Sequence, residues 1–347
     1  MGGGPLDVVG IGSPLVDVLC RASEEEVVAA GLARGSMSLV DLAQAEAIYS
    51  AMGPTVEVSG GSAANTMAGV AALGGAAGFV GKVADDALGR VFVHDIRAAG
   101  VAYVPVVADG SPGAEAGGPD GGTGRCLVLV TGDAERTMAT HLGVATTIVP
   151  GDVPDDLVAR AGIVYLEGYL WDLPPAKEAM RRAVGIAHGH DGSVALSLSD
   201  PFCVERHRRD LLELLRSDVD VLFGNEEEVT RLFDAGSLGA ALSAAGETGL
   251  LVAVTRGAEG SVVVTQRGPV EVPALPVDRV VDTTGAGDLY AAGFLYGLTH
   301  GAGPEACARL GALCAGEVIG HLGARPEADL RRLAGEAGLA GEAGLAG

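Results

Sequence analysis

The sequence predicts an α/β fold: a three-layer αβα sandwich around a mostly parallel central sheet, with a small β-sheet lid. Three observations carry this. From about residue 149 onward, short apolar runs alternate with helix-length segments, as in a parallel sheet covered on both faces. A buried strand near the N-terminus and a second set of elements around 60–100 extend the same body. Interleaved with them, 13–59 and 101–142 read as β-rich, and form a candidate cover for the sheet's carboxyl edge, where open α/β sheets place ligands.

The elements follow in order. Asp7-Val-Val-Gly-Ile-Gly12 is a short apolar run that opens the fold as a buried strand. The next stretch is mixed and polar, with a helical turn at 24–32 and an apolar run at 37–40. After Gly60-Gly61, small and apolar residues over 62–73 suit a closely packed helix. A strand at 76–80, a helix at 87–99 and a strand at 103–107 come next. Residues 109–124 are rich in Gly and Pro without apolar periodicity, so burial cannot offset their ordering entropy and a flexible loop is expected. That loop separates 103–107 from a strand at 125–131, which predicts a hairpin with an enlarged tip.

Further strands are expected at 163–167, 194–199, 219–224, 250–255 and 261–265. Helices are expected at 174–188, 203–216, 226–233, 237–247, 286–300 and 304–322. The tail from Leu333 repeats Leu-Ala-Gly-Glu-Ala-Gly and is expected to fray. The division that results places 1–12, 60–100 and 143–330 in the large domain, 13–59 and 101–142 in the lid, and 331–347 in the tail.

Composition narrows the function. With 23 Lys+Arg against 45 Asp+Glu in 347 residues, the formal charge is −22. Such a chain repels nucleic acid and anionic membrane surfaces, so neither is expected as a partner. A nucleotide would need a site with its own local positive potential. A hydrophobic fraction of 48% excludes a disordered chain. Lys82 and Lys177 are the only lysines, and Gly81-Lys82 is followed by Val83, which excludes a P-loop. The five cysteines are scattered without a CxxC pair, as in a reducing compartment. No signal-type segment opens the chain, and the most apolar stretch, 63–83, is glycine-rich and interrupted by Asn65 and Thr66. A cytoplasmic protein is expected.

The most informative stretch is Val281-Asp-Thr-Thr-Gly-Ala-Gly-Asp288. Small residues at 285–287 let the backbone turn tightly into a helix whose first N–H groups have no partners. Those donors and the helix dipole form an anion site. A carboxylate beside such a site is a poor phosphate holder. It makes sense if Asp288 takes a proton from an incoming hydroxyl while the amides stabilise a transferring phosphoryl group. From these residues alone, a plain helix-N-terminal aspartate after a glycine turn stays open.

Asp282-Thr-Thr-Gly-Ala-Gly-Asp288 followed by Gly293-Phe294 resembles the C-terminal signature of the ribokinase-like (PfkB) carbohydrate and nucleoside kinases. Gly60-Gly-Ser-Ala-Ala-Asn65, running on to Gly69 and Leu73-Gly74, resembles that family's N-terminal signature. The resemblance covers residues 6 to 325 and implies the ribokinase-like sandwich, ATP as phosphoryl donor and Mg²⁺. It implies that Gly285, Ala286 and Gly287 supply the anion hole and Asp288 the base. Asp17 looks like the family's substrate aspartate, with Gly61 and Asn65 as its partners in holding a sugar ring. Asn225-Glu-Glu-Glu228 fits an N-x-x-E pattern whose acid, Glu228, acts through water on magnesium. Thr255-Arg-Gly-Ala-Glu-Gly260 resembles the turn that lies along ATP, which brings in Thr255, Gly257 and Gly260. Family members often bind a monovalent cation such as K⁺ through backbone carbonyls near 282–284 and 316–323, and Asp282 permits such a site.

Within the family, Asp133-Ala-Glu-Arg136-Thr-Met138 is similar to the nucleoside-kinase pattern of the adenosine kinase-like branch, and Leu166–Trp171 and Ser199–Cys203 resemble bacterial adenosine kinases or sugar kinases of the family. Arg136 is expected to offset phosphate charge, and Tyr169, Trp171 or Phe202 to stack on a purine, with a core position as the alternative for these aromatics. The expected activity is phosphorylation of the 5′-hydroxyl of a ribose-type substrate, adenosine first. A free-sugar kinase and a non-catalytic nucleoside- or sugar-binding protein are the alternatives. A monomer and a lid-mediated homodimer both fit.

Two decoys fall away. Val8-Val-Gly-Ile-Gly12 begins like a dinucleotide fingerprint, but Leu15 fills the last glycine position and Pro14 sits where a helix should start to donate. His188-Gly-His190 lacks a third ligand at local spacing for a metal.

Overall fold

The computed structural model describes residues 4–108, 122–133, 135–339 and 341. The loop expected at 109–124 therefore lies almost wholly outside the described residues, as does the last part of the tail.

Nine strands form the large sheet. From one edge to the other they are Gly268–Val272, Ser261–Thr265, Leu251–Thr255, Val221–Asn225, Ser193–Ser197, Ala161–Glu167, Leu6–Ile11, Ala77–Val80 and Ala102–Tyr103. Pairing is parallel from Leu251–Thr255 through to Ala102–Tyr103, and antiparallel only at the Gly268–Val272 edge. Successive side chains of a strand point to opposite faces. Val8, Tyr165, Phe223 and Ala253 accordingly pack into one core with Met67, Phe294 and Leu310 of the helices Ser62–Ala72, Ala286–Thr299 and Pro304–Val318. Their neighbours Val9, Val164, Leu222 and Val252 pack into a second core with Met180, Leu211, Val229 and Ala241. Those four belong to the helices Pro174–His188, Pro201–Ser217, Glu226–Leu232 and Leu238–Glu247. Two apolar faces per strand give three layers, the sandwich the alternation predicted.

The smaller sheet has the order Met37–Leu39, Arg136–Gly143, Thr123–Val130, Leu15–Arg21 and Val56–Gly60. Here the pleat separates two environments. Val18, Cys20, Leu127, Leu129 and Ala139 face outward, under Val27, Ala45 and Ile48 of the helices Glu24–Ala29 and Leu42–Ala51. Asp17, Cys126, Met138 and Thr140 alternate with them and line a cavity on the inner face. Two of the chain's crossings between the sheets border that cavity: Gly12-Ser-Pro14 between Leu6–Ile11 and Leu15–Arg21, and Gly60-Gly61 between Val56–Gly60 and the helix Ser62–Ala72 that leads on to Ala77–Val80.

Three sequence expectations change. The hairpin expected between 103–107 and 125–131 does not exist. Ala102–Tyr103 is the edge of the large sheet, Val106–Val107 pairs with Lys82–Val83, and Thr123–Val130 forms its hairpin with Arg136–Gly143. The tail begins later than Leu333, because Leu330–Glu336 is a helix with Asp329 as N-cap and with Leu330 and Ala334 fully buried. The helix Leu42–Ala51 and the strands Val56–Gly60 and Gly268–Val272 were not foreseen.

All five cysteines are free and buried. Among the described residues, no helix is long and apolar enough to cross a membrane. Lys82 is a structural residue, donating to the Thr147 carbonyl at 3.2 Å and to Asp152 at 3.0 Å.

Candidate active site

A cavity of about 910 Å³ opens between the carboxyl ends of the large sheet's strands and the inner face of the small sheet. Asp288 lies at its floor. Its helix starts at Gly285 in the left-handed region, with φ 76°. A Cβ there would stand 2.6 Å from the Ala324 Cβ, so both conformation and space require glycine. The amides of Gly287 and Asp288 belong to the first helical turn, where no preceding helical carbonyl can accept from them. Gly287 is exposed, with open space where a side chain would be. Gly285, Gly287 and Asp288 therefore line the cavity together, whereas Ala286, expected as a third donor, does not line it and its N–H donates to the Thr283 carbonyl at 3.3 Å in the turn.

Two side chains fix Asp288. The Ser62 hydroxyl donates to its Oδ1 at 2.6 Å and the Asn65 amide to its Oδ2 at 3.0 Å. Ser62 and Asn65 are three residues apart, on one face of their helix. Burial pushes Asp288 above the usual carboxylate range, and the Ser62 and Asn65 bonds and the nearby Arg325 pull it back. The Asn65 Oδ1 is buried without a hydrogen-bond partner among the described residues, and is a ready acceptor for a ligand hydroxyl. Gly61 has φ 94°, and any side chain there would strike the Ser13 carbonyl. Asp17 reaches the cavity through the pleat of its strand, and burial lifts it to about 6 against the opposing charges of Arg136 and Arg325.

At the other end of the cavity, Asn225 and Glu228 form a reciprocal cap at the start of Glu226–Leu232. The Asn225 amide donates to Glu228 Oε1 at 2.8 Å, and the Asn225 N–H donates to Oε2 at 2.9 Å. Burial raises Glu228 to about 7. Among the described residues no three His, Cys, Asp or Glu side chains gather to hold a metal by themselves. Glu228, one carboxylate at the cavity, suits a Mg²⁺ ion that phosphates already carry, the usual way Mg²⁺ is bound at a nucleotide. Thr255 lines the same end, and Gly257 and Gly260 shape the tight turn after it, where the Arg256 N–H donates to the Gly260 carbonyl at 2.8 Å.

Arg136 and Asp282 occupy the cavity wall together as a buried ion pair. Asp282 also accepts from the Thr284 N–H at 2.9 Å and the Gly323 N–H at 2.7 Å. Its side chain is thus committed, and the expectation of a monovalent cation rests on main-chain carbonyls alone. Arg136 keeps Nε and Nη1 without hydrogen-bond partners among the described residues. Of the aromatics expected near a purine, Tyr169 lines the cavity. Trp171 does not: it is fully buried in the second core, with Lys177 and Arg181 over its ring. Phe202 is 63% exposed on the outside, beside Arg231.

Glu167 was not foreseen as a site residue. It stands at the carboxyl end of a central strand, the usual address for ligand groups in such sheets. It accepts from the Ala63 N–H at 2.9 Å and the Ser13 N–H at 3.3 Å, and so ties the two chain crossings together. Its contact also explains the decoy glycine: a Cβ at Gly12 would run into this carboxylate.

Comparison with known proteins gives a consistent result. The model of the pfkB family carbohydrate kinase matches residues 27–330. The crystal structure of adenosine kinase from Sinorhizobium meliloti superposes with a TM-score of 0.89 at 47% identity, covering 96% of this chain and 100% of that one. A probable sugar kinase from Rhizobium etli CFN 42 gives the same TM-score at 43% identity, covering 97% and 100%. The adenosine kinase of Saccharomyces cerevisiae is 30% identical over 338 residues, 91% of this chain and 95% of its own length.

Proposed function

The chain belongs to the pfkB family of carbohydrate kinases, and on that premise we propose that it transfers the γ-phosphoryl group of ATP to the 5′-hydroxyl of adenosine. The carrying observation is Asp288, half-buried and held by two donors, in the first turn of a helix whose Gly287 and Asp288 amides have no preceding helical carbonyl to donate to.

The chemistry follows from those positions. Asp17 accepts hydrogen bonds from the ribose hydroxyls, and the free Oδ1 of Asn65 accepts another. Asp288 takes the proton of the 5′-hydroxyl as that oxygen bonds to the γ-phosphorus. The bond from phosphorus to the β,γ-bridging oxygen breaks, and ADP leaves. The first-turn amides and the helix dipole hold the charge on the transferring group. Mg²⁺ bound with ATP neutralises phosphate charge; Glu228 would hold it through water. Arg136 turns its unpartnered nitrogens on the phosphates. The small sheet serves as a lid that keeps water from the donor.

The preference for a nucleoside rests on the cavity's upper wall. Leu15, Met37, Leu39, Met138 and Leu142 of the small sheet face the space beyond the sugar-binding groups. An apolar wall suits the faces of a purine, whereas the hydroxyls of a free sugar would lose water there without replacement. A free-sugar kinase is the second reading, favoured by the similarity to the probable sugar kinase. Measuring ADP release with adenosine, inosine, ribose and fructose separates them. Adenosine is expected to give the highest kcat/KM; equal or better turnover of ribose or fructose contradicts the nucleoside assignment.

A further inference from the structure

Beneath the two carboxylates that the proposed reaction uses lies a guanidinium to which it gives no role. Arg325 follows Gly323-Ala324 in the segment after Pro304–Val318. Its Nε donates to the Ser59 carbonyl at 3.1 Å and its Nη1 to the Ala64 carbonyl at 3.1 Å. These carbonyls stand on either side of the Gly60-Gly61 crossing. Ser59 is the last but one residue of the small-sheet strand Val56–Gly60 and pairs with Val16, the neighbour of Asp17. Ala64 belongs to the first turn of the helix that carries Ser62 and Asn65. Asp95 supports Ser59 from the opposite side by accepting its N–H at 3.4 Å. The Arg325 Nη2 is buried with no hydrogen-bond partner among the described residues.

We propose that Arg325 is a positioning residue for the transfer: its guanidinium pins both sides of the crossing, from which Asp17 on one side and Ser62 and Asn65 on the other reach the site, and it places a positive charge near the two carboxylates. The proposal rests on the kinase reading above. Its electrostatic logic is simple. Two carboxylates sharing a poorly solvated cavity with ATP repel one another and the phosphates. Arg136 also offsets Asp17, but it is itself paired with Asp282, whose charge opposes that effect; Arg325 is the cation that acts on both Asp17 and Asp288. The other titratable groups facing the pair are Glu167, Cys126, Tyr165 and Tyr169, none of them cationic. Burial lowers Arg325 to about 10 while Asp17, Asp95 and Asp288 hold it up, so it stays charged at neutral pH. A lysine at the same depth keeps a charge but cannot bind two carbonyls as a planar fork.

The test is the pH profile of kcat/KM for ATP-dependent adenosine phosphorylation by wild type, Arg325→Met and Arg325→Lys. Removing the charge favours the protonated carboxylates, so the acidic limb of Arg325→Met is expected to move to higher pH by about one unit. That is about a tenfold loss on the limb, seen in kcat more than in KM. Arg325→Lys is expected to return the limb most of the way. Should the Met variant fail to fold, Arg325→Gln, which keeps one donor for a carbonyl, carries the same expected shift. An active wild type and a variant whose limb has not moved, whatever its melting temperature, overturn the proposal alone. A wild type that phosphorylates no nucleoside or sugar overturns both it and the kinase reading.

Discussion

Glu167 is held away from water between Gly12 and Ala63, and burial raises it from 4.5 to about 7. Asp17 and Glu228 are raised too, to about 6 and about 7. For such a group the folded state binds the proton more tightly than the unfolded chain. Its contribution to stability is therefore fully present below the unfolded value and is lost as pH rises toward the folded one. Between about pH 4.5 and pH 7 the wild type should lose melting temperature, and Glu167→Gln should lose less over the same window. Equal losses in the two proteins would show that Glu167 does not titrate this way. Residues at this scale were legible where a local pattern carried them. Asp17, Gly61, Asn65, Asp288 and Glu228 sit in short motifs and the structure brings them to one cavity or its rim. Glu167 and Arg325 were not legible as site residues, because their partners are 104, 154, 261 and 266 positions away; the stretch Leu166–Trp171 marked the strand end but gave Glu167 no role.

Among the elements, the small sheet is the one proposed to govern access. It has one face covered by two helices and the other toward the cavity, where Leu15, Met37, Leu39, Met138 and Leu142 stay partly exposed and gain full burial only when something fills that space. Adenosine is expected to slow backbone hydrogen exchange in Met37–Leu39 and Arg136–Gly143; exchange unchanged by substrate would remove the lid from the account. The large sheet was readable from sequence because its strands are apolar on both faces and bounded by turns. The small sheet was read as β-rich without its pairing. Strand partners there are set by a one-sided pattern over few residues, and Val56–Gly60 presents exposed positions at Val56 and Glu57. The misjudged hairpin has the same cause: two-residue strands such as Ala102–Tyr103 carry too little pattern to show which sheet they join. Leu42–Ala51 escaped because only Ala45 and Ile48 are buried, although Asp41 and Gln44 form a complete capping box.

At the scale of the molecule, two sheets share one chain at Gly12-Ser-Pro14 and Gly60-Gly61, and every proposed catalytic group lies close to a strand end, a crossing or a helix start. An overall charge of −22 makes the local arrangement decisive, since no general positive field draws a nucleotide in. The first-turn main-chain donors at Gly287 and Asp288, the Arg136 nitrogens not turned to Asp282, and Arg325 must supply it. Asp288 as the proton acceptor is the central element of the proposed reaction. Phosphoryl transfer from ATP to adenosine should be measured for Asp288→Asn beside the wild type, with adenosine affinity followed by calorimetry. The account predicts a fall in kcat of at least about a hundredfold with adenosine still bound. Transfer at the wild-type rate would contradict it.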